Sequence, residues 1–145
     1  VTLQGSAMEP TYSVSEKFFV NRALYKVSSP KRGDVIVFKT SASDSAALHI
    51  RRVIGLPGET VQVKDGKIYI NGKVYEENGA YQDMTDGGLA NSAITLESGE
   101  YFVLGDNRNN SEDSRFSDIG NISKKYIVGK VWFTVSPKNK IGFIK

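Results

Sequence analysis

The chain has 145 residues, of which 39% are hydrophobic and 24% charged, and its formal net charge at pH 7 is +3. This length and composition predict one domain with a proper core over residues 1–145, and they exclude a disordered or fibrous protein. The absence of cysteine excludes disulfides and cysteine-ligated metals, and a single histidine argues against zinc, so we expect neither a metal nor a cofactor.

The 19 basic residues are spread along the chain rather than gathered into a run, so we expect no nucleic-acid partner. No apolar stretch reaches the roughly 18–20 residues that span a bilayer. The first residues, Val1-Thr2-Leu3-Gln4, are typical of a strand already under way. We therefore expect a segment before Val1 to have been removed.

Short stretches rich in β-branched and aromatic residues predict strands at 18–20, 34–39 and 47–54. Residues 60–73 alternate apolar and polar side chains around Asp65-Gly66, and Asn71-Gly72 follows, which predicts consecutive hairpins.

Between residues 76 and 99 the periodicity disappears, which indicates a cap or long loop. Strand patterns return at 100–104 and 126–135, with room for one helical turn within 118–126. Many short strands without helical crossovers favour a mainly β fold, a coiled antiparallel sheet or partly closed barrel. The core would then comprise residues 1–75 and 100–145.

Three stretches carry polar patterns that β-structure alone does not require. They are residues 5–11, reading GSAMEPT, residues 51–59, reading RRVIGLPGE, and residues 105–115, reading GDNRNNSEDSR. Together with residues 32–38 between the first two, they resemble the boxes of type I signal peptidases in order and spacing. The resemblance implies the family's β fold, a position on the extracytoplasmic face of the cell membrane, and an N-terminal membrane anchor before Val1.

In that family a serine nucleophile directly precedes the methionine of the first box, and a lysine base directly precedes the Arg-Val pair of the second. The matching residues here are Ala7 and Arg51. Alanine has no nucleophile, and arginine keeps its proton in proteins. The resemblance therefore implies that the chain as written is inactive as a peptidase.

Two nearby residues are weaker candidates for the missing nucleophile and base. In an extended segment the hydroxyl of Ser6 would face away from the cleft, because adjacent side chains point to opposite faces. His49 lies two residues before Arg51 and hence on the same face of its strand, which makes it the one plausible base nearby. We expect His49 to be a surface or packed strand residue instead.

The third box alternates acidic and basic residues, and we expect it to brace the loops through bidentate hydrogen bonds between Asp106, Arg108, Asp113 and Arg115. The resemblance implies that the counterpart of Ser111 orients the base, so Ser111 would lie beside Arg51. The residues expected to form or support the cleft are Gly5, Ser6, Met8, Pro10, His49, Arg52, Gly105, Asp106, Arg108, Ser111, Asp113 and Arg115.

Three functions follow from this pattern. The first is a signal-peptidase-like protein that holds a protein segment in an apolar cleft, such as a pilin, a sortase or a signal-peptide-like sequence. Degenerate relatives of this kind assist pilus assembly in Gram-positive bacteria. The second is a working signal peptidase captured as an inactive variant. The third is a β-domain that binds an unrelated partner.

Overall fold

The described part of the chain is built almost entirely from antiparallel strands. The structure is a computed structural model that describes residues 5–12, 16–43, 45–136 and 142–143. The regular elements in these ranges are β1 Lys17–Asn21, α1 Leu24–Val27, β2 Val35–Phe38, β3 His49–Gly55, β4 Thr60–Lys64, β5 Lys67–Ile70, β6 Lys73–Val74, β7 Ile94–Thr95, β8 Glu100–Leu104, β9 Ile122–Ser123, β10 Ile127–Ser136 and β11 Gly142–Phe143. Single 3₁₀ turns lie at Gly88–Asn91 and Lys124–Tyr126.

The strands form two sheets. The larger has the order β1-β10-β2-β3-β8-β9, with β11 also paired to β10, and the smaller has the order β6-β5-β4-β7. Every pairing is antiparallel. The prediction of a mainly β, antiparallel fold is confirmed. The strand that the sequence predicts at Val1-Thr2-Leu3-Gln4 lies outside the described residues.

Two tight turns connect successive strands of the smaller sheet, and their residues suit these turns. Asp65 and Gly66, between β4 and β5, have φ of 53° and 77°, and Asn71 and Gly72, between β5 and β6, have φ of 52° and 81°. Paired left-handed residues give the two-residue turn whose twist matches that of antiparallel strands. Both predicted hairpins are therefore present.

Strand β2 lies inside the larger sheet, and all four of its side chains are buried. Val35 and Val37 pack on one face in a cluster that includes Met8. Ile36 and Phe38 pack in a second cluster. Successive side chains of a strand point to opposite faces, so both faces of the sheet are covered here. Burial of Met8 on one of them fixes the opening loop to the core.

A third cluster joins the two sheets. Ile54 of β3 and Phe102 of β8 meet Val61 of β4, and Met84 and Leu96 pack beside them. The last two belong to the predicted cap or loop, residues 76–99. That segment therefore supplies core side chains to the smaller sheet although it carries little regular structure.

In the part of the chain that the structure describes, no helix is both long enough and apolar enough to cross a bilayer.

Candidate functional site

One cleft brings together the three motifs that the sequence singled out. It has a volume of about 410 Å³ and is lined by Gly5, Ser6, Ala7, Arg51, Asn109, Asn110, Ser111, Glu112 and Phe116. Six of these nine residues are polar or charged, so the cleft is more polar than the apolar cleft that the family resemblance implied. Residues separated by about a hundred positions in the chain thus share one surface depression.

Hydrogen bonds connect the opening loop to the third motif. The backbone N–H of Asn107 donates to the Ala7 carbonyl at 2.8 Å, and the Asn107 amide donates to the Ser6 carbonyl at 3.1 Å. The side-chain amide of Asn110 donates to Ser6 Oγ at 3.0 Å. Ala7 is only 7% exposed, and Met8 beside it is fully buried. The loop that carries Ala7 is therefore held by hydrogen bonds from the third motif and by the buried side chain of Met8.

The expectation that the Ser6 hydroxyl faces away from the cleft is wrong. It assumed an extended segment, whereas residues 5–10 form turns and Gly5 has a φ of 77°. Strand alternation does not apply in a turn, and Ser6 bonds to Asn110, which lines the same cleft. Pro10 is exposed in this turn and does not line the cleft.

Gly105 lies where the two loops come closest. A Cβ at this position would lie 2.0 Å from Ser111 Oγ and 2.6 Å from the Ala7 carbonyl oxygen. The first neighbour is a side chain that can rotate, but the second is backbone. Only glycine permits this approach.

We expect Gly105→Ala to lower the free energy of unfolding by about 1–3 kcal/mol, because the added methyl group must displace the Ala7 carbonyl. Displacement would break the Asn107 N–H bond to that carbonyl. Urea denaturation measures the loss of stability, and amide hydrogen exchange at Asn107 reports the broken bond. An unchanged urea midpoint, together with unchanged protection of the Asn107 amide from exchange, would contradict the close approach of Gly105 to the Ala7 carbonyl.

Arg51 and Arg52 are neighbours on β3 and point to opposite faces of the sheet. Arg51 lines the cleft while being only 7% exposed. Its Nε donates to the Glu112 carbonyl at 2.7 Å, and its Nη1 donates to the Ile50 carbonyl at 2.7 Å. Burial lowers the pKa of Arg51, and the negative charges of Asp113 and Glu112 act in the opposite direction. An arginine stays protonated under these conditions and cannot act as a base.

Arg52 supports the site from the other face. It donates to both oxygens of Asp106, at 2.9 and 2.7 Å, and to the Gly33 carbonyl at 2.9 Å. Asp106 is 2% exposed. This buried pair connects β3 to the start of the third motif.

Arg108 is also paired outside its own motif. It is 1% exposed and donates to both carboxylate oxygens of Glu77, at 2.5 and 2.6 Å. The Tyr81 ring lies 4.2 Å from its guanidinium carbon. The sequence missed Glu77, which lies in the 76–99 segment, and no local signal identifies it as this partner.

Of the four charged residues expected to pair with one another, only Asp113 and Arg115 do so. Asp113 is fully buried and accepts five hydrogen bonds, from the Gly105 N–H, from Ser111 Oγ, and from Arg115 through N, Nε and Nη2. The prediction for Asp106 and Arg108 is corrected, because their partners lie on β3 and in the 76–99 segment.

His49 belongs to the strand rather than to the cleft. Its ring stacks on Phe38, opposite it on β2, with centroids 5.6 Å apart. His49 is not among the cleft-lining residues. Burial, with the Arg51 charge as second cause, lowers its pKa below the ordinary value of 6.5. This agrees with the expectation that His49 is a packed strand residue.

The lowered pKa of His49 predicts a loss of stability in mild acid. The unfolded chain takes up this proton at higher pH than the folded chain does, so stability is complete above about pH 6.5 and falls as the pH drops below that value. Melting temperatures of the unaltered chain and His49→Gln between pH 7.5 and 5 test this. The variant should lose less stability over that interval, and identical losses would contradict the assignment.

In the described part of the chain, two further cavities share no lining residue with the cleft. One of about 400 Å³ includes Tyr81 and Arg108, and one of about 550 Å³ includes Arg22, Lys26 and Lys124. Neither contains Ala7, Arg51 or Ser111. In the described ranges, no group of three or more histidine and acidic side chains could hold a metal ion.

Comparison with known proteins identifies the family. The model for "Signal peptidase, peptidase S26" matches residues 1–136. The chain is 35% identical over 146 residues to signal peptidase I of Bacillus licheniformis, covering 96% of this chain and 77% of that protein. It is 36% identical over 146 residues to signal peptidase I T of Bacillus subtilis strain 168, covering 96% and 74%.

The fold comparison agrees. A crystal structure of a signal peptidase I from Enterococcus faecalis V583 superposes with a TM-score of 0.54 at 32% sequence identity, covering 70% of this chain and 96% of that one. On the matched length and on these similarities, the chain belongs to the signal peptidase family, peptidase S26.

Proposed function

We propose that this family member binds an extended protein segment in its cleft without cutting it, on the extracytoplasmic face of the cell membrane, and that it assists the assembly of a surface structure such as a pilus. One observation carries the proposal. Ala7 and Arg51 both line the cleft, and each is only 7% exposed. The family resemblance assigns the serine nucleophile and the lysine base to these two positions, and neither side chain can do that chemistry.

The other hydroxyl groups of the cleft do not replace the missing pair. Ser6 Oγ accepts a hydrogen bond from the Asn110 amide, which is not a base. Ser111 Oγ donates to Asp113 at 2.9 Å, but Arg115 already occupies both oxygens of that carboxylate. A general base needs a free lone pair within reach of the hydroxyl. Among the described lining residues we find none in that position.

The walls of the cleft support a binding role. The Asn107 and Asn110 contacts hold the opening loop, and Asp113 and Arg115 brace the third motif from within. Such a preformed cleft lowers the entropy cost of binding. Extended peptides are recognised by sites that combine backbone hydrogen bonds with small side-chain pockets.

A second candidate is a working signal peptidase in which the nucleophile has been replaced. The names of the Bacillus relatives favour it, because both are signal peptidases. This candidate accounts for Ala7 but leaves Arg51 unexplained. It predicts that a serine at position 7 is enough to restore cleavage.

Fluorescence anisotropy with labelled extended peptides tests the binding role. Suitable peptides come from pilin sequences and from signal peptides ending in Ala-x-Ala. We expect Asn110→Trp, which fills the cleft from an exposed position, to weaken binding about tenfold or more. Asn78→Trp is the matched control, since Asn78 is exposed and does not line the cleft. Equal affinities of the two variants would contradict binding at this site.

A further inference from the structure

Arg51 differs from the other buried arginines of the site in having no carboxylate partner. Arg52, Arg108 and Arg115 each donate two hydrogen bonds to one carboxylate. Arg51 donates only to two backbone carbonyls, those of Ile50 and Glu112. In the described ranges no acidic side chain forms a salt bridge with it. A buried charge without a salt bridge is costly, and the negative charges of Asp113 and Glu112 offset only part of the effect of burial on Arg51, so this site favours an anion.

One nitrogen of the Arg51 guanidinium has no hydrogen-bond acceptor among the described residues. Its Nη2 makes no hydrogen bond to any described residue, yet it is not a fully buried unsatisfied atom. Arg51 as a residue is only 7% exposed, and it lines the cavity of about 410 Å³. Its open side is therefore available to a ligand in the cleft.

The two acidic residues whose charges act on Arg51, Asp113 and Glu112, form no salt bridge with it in the described ranges. Glu112 is the one acidic residue in the described lining, and it offers Arg51 its backbone carbonyl while its side chain is exposed. Asp113 is occupied by Arg115. Ser6 Oγ, which lines the same cleft, accepts from the Asn110 amide, and among the described residues its O–H has no acceptor.

We propose that Arg51 makes the cleft selective for a carboxylate of the bound segment, an inference that rests on the proposed binding function. A carboxylate matches the planar guanidinium and accepts charge-assisted hydrogen bonds from it. The group has two possible sources in a protein segment, an Asp or Glu side chain and the C-terminal carboxylate. Arginine at position 51 thus supplies anion recognition where a neutral lysine would supply a base.

Three otherwise identical labelled peptides test this in the unaltered chain. The first has a central Gln and an amidated C-terminus, the second replaces that Gln with Glu, and the third keeps the Gln and has a free C-terminus. We expect at least one carboxylate peptide to bind about tenfold or more tightly than the neutral one. The peptide that gains affinity identifies the source.

Equal binding of all three peptides would overturn this inference and leave the proposed function standing. If none binds, both fail. Arg51→Gln should remove the preference for the carboxylate peptides over the neutral one. Arg22→Gln is the matched control, because Arg22 is exposed and lies outside the cleft, and it should retain the preference. A preference that persists in Arg51→Gln would also overturn the assignment.

Discussion

Asp113→Ala is expected to lower the free energy of unfolding by about 3–5 kcal/mol. The substitution leaves the buried Arg115 guanidinium without its carboxylate, and removing one partner of a buried ion pair has a cost of this size. It also removes the acceptor for the Gly105 N–H and for Ser111 Oγ. Urea denaturation followed by tryptophan fluorescence measures the change.

Asp83→Ala serves as the control. Its carboxylate pairs with Lys67 at 3.2 Å, but the two side chains are 72% and 55% exposed. Exposed pairs contribute less than about 1 kcal/mol, because water and salt screen them. A loss in Asp113→Ala no larger than in the control would contradict the bracing role of the third motif.

Ala7→Ser alone is expected to leave signal-peptide cleavage undetectable. The new hydroxyl would lie in the cleft beside Arg51, whose guanidinium has no lone pair to accept its proton. High-performance liquid chromatography of a signal-peptide substrate measures the reaction. Cleavage by this single variant would instead favour a working signal peptidase whose nucleophile had been replaced.

The double variant Ala7→Ser with Arg51→Lys should show detectable cleavage, because a general base usually contributes about 10²–10⁴-fold to the rate. A lysine at position 51 would be buried in the same surroundings, where burial lowers the pKa of Arg51. Burial lowers a lysine pKa from its ordinary value of about 10.4. Activity should therefore rise with pH as the amine loses its proton. A double variant no more active than the single one would contradict this arrangement of the cleft.

The strands were predictable where the sequence carries its own local signal. β2 has four consecutive β-branched or aromatic residues, and Asp65-Gly66 and Asn71-Gly72 provide turn geometry without help from distant residues. The short elements α1, β7, β9 and β11 have two to four residues each, too few to show a period. Their conformation depends on packing and pairing with the rest of the fold.

Several residues that line the cleft could be predicted, but the partners of its charged side chains could not. The family resemblance implied that Ala7, Arg51 and Ser111 are neighbours, and all three line one cleft. Charge alternation within the third motif suggested local partners, whereas Arg108 pairs with Glu77, 31 positions away. Many acidic residues lie at such distances, and only the folded chain selects one of them.

The central claim is that the cleft holds a protein segment and does not cut it. Mass spectrometry of a signal-peptide or pilin segment, recovered over time from its complex with the unaltered chain, tests this most directly. We predict that the bound segment is recovered at its full mass and that no covalent adduct forms with the protein. Recovery of a fragment cut after Ala-x-Ala, in amounts that grow with protein concentration, would contradict the claim.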